Sequence, residues 1–346
     1  MGKILFLLIF IFILFSVYFY SQNKSINLPI SSIGTKIVDD ILPSPTPKPF
    51  YELTIPYLRG RSYEGILGEL ILAYNRGNYE AYTTSYISDG LRVNGLLTKP
   101  SGVMPEGGWP GVVFIHGYIP PTQYLTLERY TDHVDFLARN GLAVFKIDLR
   151  GHGNSEGEAS GAYYSSDYII DVLSAVNALG KSGFVNPEKI GLWGHSMAGN
   201  VLMRSMAVKP DIKAAVIVSG AVYTYIDLGE YGISDSSYQP PGNSSERARR
   251  RQRIRDVYGD PSADSPFWRE IAPSNYLTDL KGAIQIHHAT NDNVVSINYS
   301  RNLNGLLDKT NVPHEIFEYQ SGGHNLIGSS FTQAMQRSVE FFKKYL

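Results

Sequence analysis

Residues 194–199 read GHSMAG. Ser196 follows a short apolar run, LWG, and precedes MAGNVLMRSMAV (197–208), which reads as a helix. A serine on a sharp strand-to-helix turn has an exposed hydroxyl and a strained backbone, and small neighbours permit close approach. The usual form of that turn is G-x-S-x-G; here Gly194 and Ala198 flank the serine, with Gly199 one position later. The plainer reading of Ser196 is a helix N-cap. Two other residues weigh against it. Asp292 lies in HHATNDNVVS (287–296), behind the apolar run AIQI, and His324 lies behind two glycines in EYQSGGHNLIG (318–328). Alone, the first is a turn aspartate and the second a loop histidine. Together, in the order Ser196, Asp292, His324, they supply a nucleophile, its general base and a carboxylate that steadies the charged imidazole.

That chemistry needs donors for a developing oxyanion, each worth about 3 kcal/mol when well aimed. The Met197 N–H, next after the serine, is one candidate. The Tyr118 N–H is the other, because FIHGY (114–118) ends an apolar run two strand–helix units before Ser196. His116 and Gly117 could equally form a plain turn. His195 is expected to pack, with its side chain directed away from Ser196. His116, His152, His287 and His288 could gather near strand ends, but no HExxH-type spacing occurs, so a metal reading is weak. No cofactor is called for.

These residues must be positioned by a frame. GVVFIHG (111–117), LAVFKIDLRGHG (142–153), KIGLWGHS (189–196), IKAAVIVSG (212–220), AIQIHHA (283–289) and HEIFEYQ (314–320) read as strands, several of them continuously apolar. Helical patterns over 130–141, 167–180, 197–208 and 331–346 alternate with them. Such alternation predicts a mostly parallel sheet covered on both faces, with ligands beyond the carboxyl ends of its strands. TSYISDGLRVNGLLTKP (84–100) reads as a hairpin, which places antiparallel strands at one edge, and ILGELILAY (66–74) reads as a helix.

SDGLRVNGLLTKP, VVFIHGY, DLRGHGNSEG (148–157), GHSMAG, HHATNDNVV and GGHN together resemble the catalytic domain of prolyl-oligopeptidase-type serine peptidases and related acyl esterases of the α/β-hydrolase superfamily. The resemblance covers about residues 80–346. It implies an α/β-hydrolase fold, the triad Ser196, Asp292 and His324, and oxyanion donors at Tyr118 and Met197. It implies a small peptide substrate first, with a carboxylic ester as the alternative; a hydrolase-like module that binds without turnover is a third reading. Two departures stand out. The loop after the oxyanion strand reads HGYIPP rather than HGGP, and only about 60 residues precede the hydrolase-like strands after the N-terminal apolar run, too few for the family's β-propeller.

Residues 221–275 are long for a connection and are expected to form a cap. Within them SSERARRRQRIRD (244–256) carries six arginines on a helix-like pattern. They read as a solvated face or as a basic rim that draws an acidic group. Tyr223, Tyr225, Tyr231 and Tyr238 would line a pocket or pack the cap.

The chain has 346 residues and a formal net charge of −1, which argues against nucleic acid as a partner. It has no cysteine, so disulfides, a thiol nucleophile and cysteine-ligated zinc are excluded. Residues 4–20, ILFLLIFIFILFSVYFY, are uncharged and would span about 25 Å as a helix. An uncleaved signal anchor over 1–22 is favoured over a cleaved signal peptide, with Tyr18, Phe19 and Tyr20 at the interface. Residues 23–50, ending in PSPTPKPF, read as a stiff linker that holds the catalytic domain, 51–346, off the outer membrane face. The sequence carries no signal for oligomeric state.

Overall fold

The computed structural model describes residues 48–236 and 245–346. The expected span over 1–22 and nearly all of the 23–50 linker lie outside the described residues. Among the described residues no helix is long and apolar enough to cross a membrane.

One nine-stranded sheet forms the centre, built from β1 (Ile71–Asn75), β2 (Tyr79–Ser88), β3 (Leu91–Pro100), β4 (Trp109–Ile115), β5 (Ala143–Ile147), β6 (Val185–His195), β7 (Ala214–Val218), β8 (Ala283–Ala289) and β9 (His314–Tyr319). Their spatial order is β1-β2-β3-β5-β4-β6-β7-β8-β9. The pairs β1–β2, β2–β3 and β3–β5 are antiparallel, and every later pair is parallel. The β2–β3 hairpin turns at Asp89 and Gly90, both at positive φ.

The central parallel strands β4 and β7 are apolar because both their faces are covered. Along β4, Val113 and Ile115 enter one core with Leu192, Ile217 and Ile286, while Val112 and Phe114 enter the opposite core with Trp193 and Val216. This is the period-two alternation of a strand, with a helix layer on each side. Helices α2 (Asp167–Gly180), α3 (Ala198–Val208) and α5 (Asn298–Leu307) close the first face, and α1 (Thr131–Arg139) and α6 (Ser329–Tyr345) close the second. Between β7 and β8 the chain forms short helical segments and one longer helix, α4 (Glu246–Tyr258), which is N-capped by the Ser245 hydroxyl.

The helix expected over 66–74 is corrected by the structure. Residues Ile71–Asn75 form the edge strand β1, Leu67 bridges to Tyr86, and Gly68 N–H donates to the Ser85 carbonyl at 2.7 Å. The apolar spacing suits a helix, but β2 offers a ten-residue edge whose N–H and C=O groups would otherwise lack chain partners. Pairing with that edge outweighs the local preference. The helix Asn298–Leu307 had no clear signal, since NYSRNLNGLL carries a serine, three asparagines and a glycine, all poor helix formers. Tyr299, Leu303 and Leu307, at helical spacing, nonetheless bury its inner face.

Candidate active site

Ser196 sits between β6 and α3 with φ +56, the left-handed region that L-residues avoid. Two backbone bonds fix it there. Its N–H donates to Val218 O at 2.9 Å, and its carbonyl accepts from Gly199 N–H at 2.9 Å. Small residues make the turn possible. A Cβ on Gly199 would come within 2.8 Å of Gly220 Cα and 3.2 Å of Ala221 N, so α3 packs backbone to backbone against the loop after β7.

Asp292 lies in the turn after β8 and His324 in the loop after β9, so both stand at carboxyl ends of parallel strands beside Ser196. Gly323 N–H donates to Asn291 Oδ1 at 3.0 Å and ties the two loops together. The Ser196 Oγ lies 2.9 Å from His324 Nε2, and His324 Nδ1 lies 2.8 Å from Asp292 Oδ2. The structure thus brings together all three residues singled out in the sequence. The Asp292 side chain is fully buried, and His324 is partly exposed.

The carboxylate is satisfied on both oxygens. Oδ1 accepts from Val294 N–H at 2.8 Å and Val295 N–H at 3.0 Å. Oδ2 accepts from His324 and also from His288 Nε2 at 3.1 Å. Burial alone would raise this carboxyl, but the bonds from His288, His324 and Val295 outweigh it and hold the group well below the usual range. The His288 Nε2 faces two acceptors, Asp292 Oδ2 and Val295 O, so it carries a proton. Ser300 Oγ meets its Nδ1 at 2.7 Å. His288 supports the carboxylate from behind. Its sequence signal was its place four residues before Asp292 at the end of a buried strand.

His195 does more than pack. Its Nε2 lies 2.9 Å from the His324 carbonyl and its Nδ1 lies 2.8 Å from Tyr130 Oη. Tyr130 Oη in turn accepts from Gly117 N–H at 3.0 Å. Burial, and then the neighbouring His324, push His195 down to about 3, so it is neutral at ordinary pH and donates only through Nε2. Both its nitrogens are engaged away from Ser196. Tyr130 carried no signal in the sequence, because it reaches this network from the residue preceding α1.

Tyr118, Met197 and Ser196 line one cavity of about 630 Å³. Met197 lies next after the serine, and Tyr118 three residues beyond the end of β4. Tyr163, Tyr164 and Tyr168 give the cavity an aromatic wall. The tyrosines of the 221–275 segment behave differently: Tyr223 and Tyr225 are buried in the core, and Tyr238 lies outside the described residues. Of the four histidines weighed as metal ligands, His116 and His152 pack edge to face with ring centroids 4.8 Å apart, and the ring nitrogens of all four have protein partners. His116 bonds to the Gly117 and Asp148 carbonyls, His152 to the Arg150 carbonyl, His287 to Gln285 and Tyr319, and His288 to Asp292. Among the described residues no group of three or more His, Asp or Glu could hold a metal ion.

A parallel sheet entered by an antiparallel hairpin, with a serine elbow after β6, an acid after β8 and a histidine after β9, defines an α/β-hydrolase; the chain is an enzyme of the serine hydrolase class. Known proteins agree with that class. Residues 111–231 match the family described as serine aminopeptidase, S33. YtmA of Bacillus subtilis, described as an uncharacterized peptidase, is 26% identical over 245 residues, 70% of this chain and 85% of that protein. YuxL of the same organism, also described as an uncharacterized peptidase, is 26% identical over 243 residues, and the match spans only 34% of its length. Among solved structures, an acetyl xylan esterase from Paenibacillus sp. R4 aligns with a TM-score of 0.64 at 18% identity, covering 84% of this chain and 92% of the esterase. The acylaminoacyl peptidase of Pyrococcus horikoshii aligns with a TM-score of 0.60 at 21% identity, covering 78% of this chain and 42% of the peptidase. At these identities the structural likenesses speak for the fold.

Proposed function

We propose that Ser196, His324 and Asp292 act as a catalytic triad in acyl transfer to water, with small peptides as the leading substrate class. The observation that carries this reading is the continuous path from Ser196 Oγ through His324 to Asp292, at 2.9 and 2.8 Å, with the serine on a strained turn. Ser196 Oγ attacks the substrate carbonyl carbon and its proton passes to His324 Nε2. Asp292 keeps the imidazole in the tautomer with Nδ1–H and stabilises its charged form. The N–H groups of Tyr118 and Met197 receive the oxyanion. The tetrahedral adduct collapses, and His324 gives its proton to the leaving amine. A water then loses a proton to His324 and attacks the acyl-enzyme, releasing the acid and restoring Ser196.

The peptide reading is supported by the S33 family match and by the peptidase descriptions of YtmA and YuxL. An ester reading is favoured by one observation, the alignment of 92% of the acetyl xylan esterase chain with this one. Steady-state kinetics of the full chain on paired peptide amides and short-chain esters, with Ser196→Ala as the blank, separate them. Amide turnover that depends on Ser196 supports the peptidase reading. Ester turnover without amide cleavage supports the esterase. Full activity in Ser196→Ala would refute the nucleophile assignment.

A further inference from the structure

The helix Glu246–Tyr258 carries six arginines and only one buried residue, Ile254. Arg249 and Arg253 pair with Glu246, Arg250 with Glu52, and Arg255 with Asp260. No carboxylate pairs with Arg247 or Arg251 among the described residues. These two lie four residues apart, on one helix face, and both line the cavity that holds Ser196. Two arginines that lack a carboxylate partner among the described residues thus line the cavity of the candidate catalytic serine, together with Arg255, which is paired with Asp260.

Their surroundings hold them in place. The Arg251 guanidinium stacks over the Tyr164 ring, 4.9 Å from its centroid. The Arg247 guanidinium lies against Gly161, where a Cβ would approach its Nη2 to 3.0 Å. One acidic residue, Asp235, lines the cavity against three arginines, Arg247, Arg251 and Arg255, so the lining is cationic. Tyr118, Tyr163, Tyr168, Leu228 and Ile233 give the wall an aromatic and aliphatic part, and His152, Ser160 and Gln252 are among its polar members. A guanidinium presents two parallel N–H donors that match a carboxylate, and Arg247 is half-buried while Arg251 is held by its stacking on Tyr164.

We infer that the cavity selects substrates with an apolar body and a carboxylate at the end distant from the scissile carbonyl, bound by Arg247 and Arg251. This rests on the reading of Ser196 as the nucleophile and adds the substrate's charge to it. The carboxylate stays intact in the reaction; it positions the substrate and leaves with whichever product carries it.

Two ester pairs test this on the full-length enzyme. In the first, a 4-nitrophenyl hexanoate is compared with the 4-nitrophenyl monoester of adipic acid, so the carboxylate ends the acyl chain. In the second, the hexanoate ester of 4-hydroxyphenylacetamide is compared with that of 4-hydroxyphenylacetate, so the carboxylate ends the leaving group. One carboxylate substrate is expected to exceed its neutral counterpart by about tenfold in kcat/KM at low salt, the worth of one hydrogen bond to a charged group. Which pair responds tells which half of the substrate fills the cavity. The ratio should fall to near one in Arg247→Gln/Arg251→Gln, and Arg251→Glu should shift preference toward a trimethylammonium analogue. A ratio read within one variant does not depend on how much of that variant is folded. Equal turnover of both pairs, or a preference that survives the double variant, overturns the inference. Binding of monomethyl adipate to Ser196→Ala by calorimetry reads the same arginines without turnover. Loss of fluorophosphonate labelling in the parent enzyme would instead remove the nucleophile reading, and the calorimetric result would still decide the arginine site.

Discussion

The ring of His195 holds the backbone of His324: Nε2–H donates to the His324 carbonyl at 2.9 Å. The residue immediately before the candidate nucleophile thereby fixes the loop of the candidate base. The bond is one link of a longer run. Gly117 N–H donates to Tyr130 Oη, Tyr130 O–H donates to His195 Nδ1, and His195 donates to His324. The loop after β4, which carries Tyr118, and the loop after β9, which carries His324, are coupled through three side-chain bonds with one consistent direction of donation. His195 must be neutral for that direction to hold, and its burial keeps it so.

Tyr130→Phe removes the middle of this run and leaves Gly117 N–H and His195 Nδ1 without their partner. A buried polar group left unpaired costs about 1–3 kcal/mol. We expect a drop of several degrees in Tm and a roughly tenfold fall in kcat on a neutral ester, with KM little changed, because the base and the oxyanion loop lose register with each other. Thermal unfolding and steady-state kinetics on the same preparation measure both. A variant as stable and as active as the parent would show that the two loops are held by other contacts.

Much of this frame could be read from the residues. β4, β5, β7 and β8 stood out because strands covered on both faces are mostly apolar, and Ser196, Asp292 and His324 stood out because each follows the carboxyl end of a strand in the order that chemistry needs. Local patterns failed where tertiary pairing decided. ILGELILAY has helical spacing, yet the open edge of β2 draws Ile71–Asn75 into the sheet. Tyr130 was invisible as a site residue, and His288 stood out only as a weak metal-ligand candidate, because their roles depend on which side chains meet across the fold. The arginines of 244–256 were legible as a charged helix, but not which of them would lack carboxylate partners. That depends on Glu52, which reaches Arg250 from 198 residues away in sequence.

Backbone strain at Ser196 makes a prediction of its own. With φ at +56, any residue with a Cβ is disfavoured there by about 1 kcal/mol relative to glycine. Ser196→Gly and Ser196→Ala should both lose activity, but Ser196→Gly should be the more stable of the two by about that amount. Urea denaturation of the pair, with equal m-values, checks it. Equal midpoints would mean that the turn is not strained in solution.

The loop after β5 is anchored by a buried pair. Arg150 Nη2 lies 2.7 Å from Asp171 Oδ1 on α2, and Ser88 Oγ donates to the same carboxylate at 2.7 Å. Asp171 is fully buried, so removing the arginine strands a charge in the core. Arg150→Met is expected to cost about 3–5 kcal/mol, and Arg150→Met/Asp171→Leu to recover a large part of it. Chemical unfolding of the two variants tests this; a double variant weaker than the single one would show that the pair stabilises the fold in its own right.

For the N-terminal apolar run we propose an uncleaved anchor that holds the catalytic domain on the outer face, a reading that rests on residues 4–20 and Lys3 alone. Protease added to intact cells should digest the domain. N-terminal sequencing of the membrane-bound protein should return residue 1 or 2. Full protection of a domain that is digested once the membrane is opened would reverse the orientation, and a mature N-terminus beyond residue 20 would mean that the segment is removed.

Asp292 should also leave a signature in acid. Its carboxyl is held below the usual value of 3.8, since the hydrogen bonds from His288, His324 and Val295 outweigh the effect of burial. A carboxyl depressed in the folded state adds stability above its unfolded pKa and loses that contribution as pH falls through its folded one. The Asp292 contribution is therefore complete above about pH 4 and declines below it. Asp292→Asn cannot follow this course, because the amide does not ionise. We expect the stability gap between parent and Asp292→Asn to be constant from pH 7 to about pH 5 and to narrow between about pH 4 and pH 3. Urea unfolding across that range measures the gap. A gap that stays constant into acid would mean that the carboxylate is not stabilised in the folded state, and with it would go the view that Asp292 steadies the charged imidazole. At neutral pH the same variant should lose about 10⁴-fold in kcat, because an amide can hold His324 in the wrong tautomer.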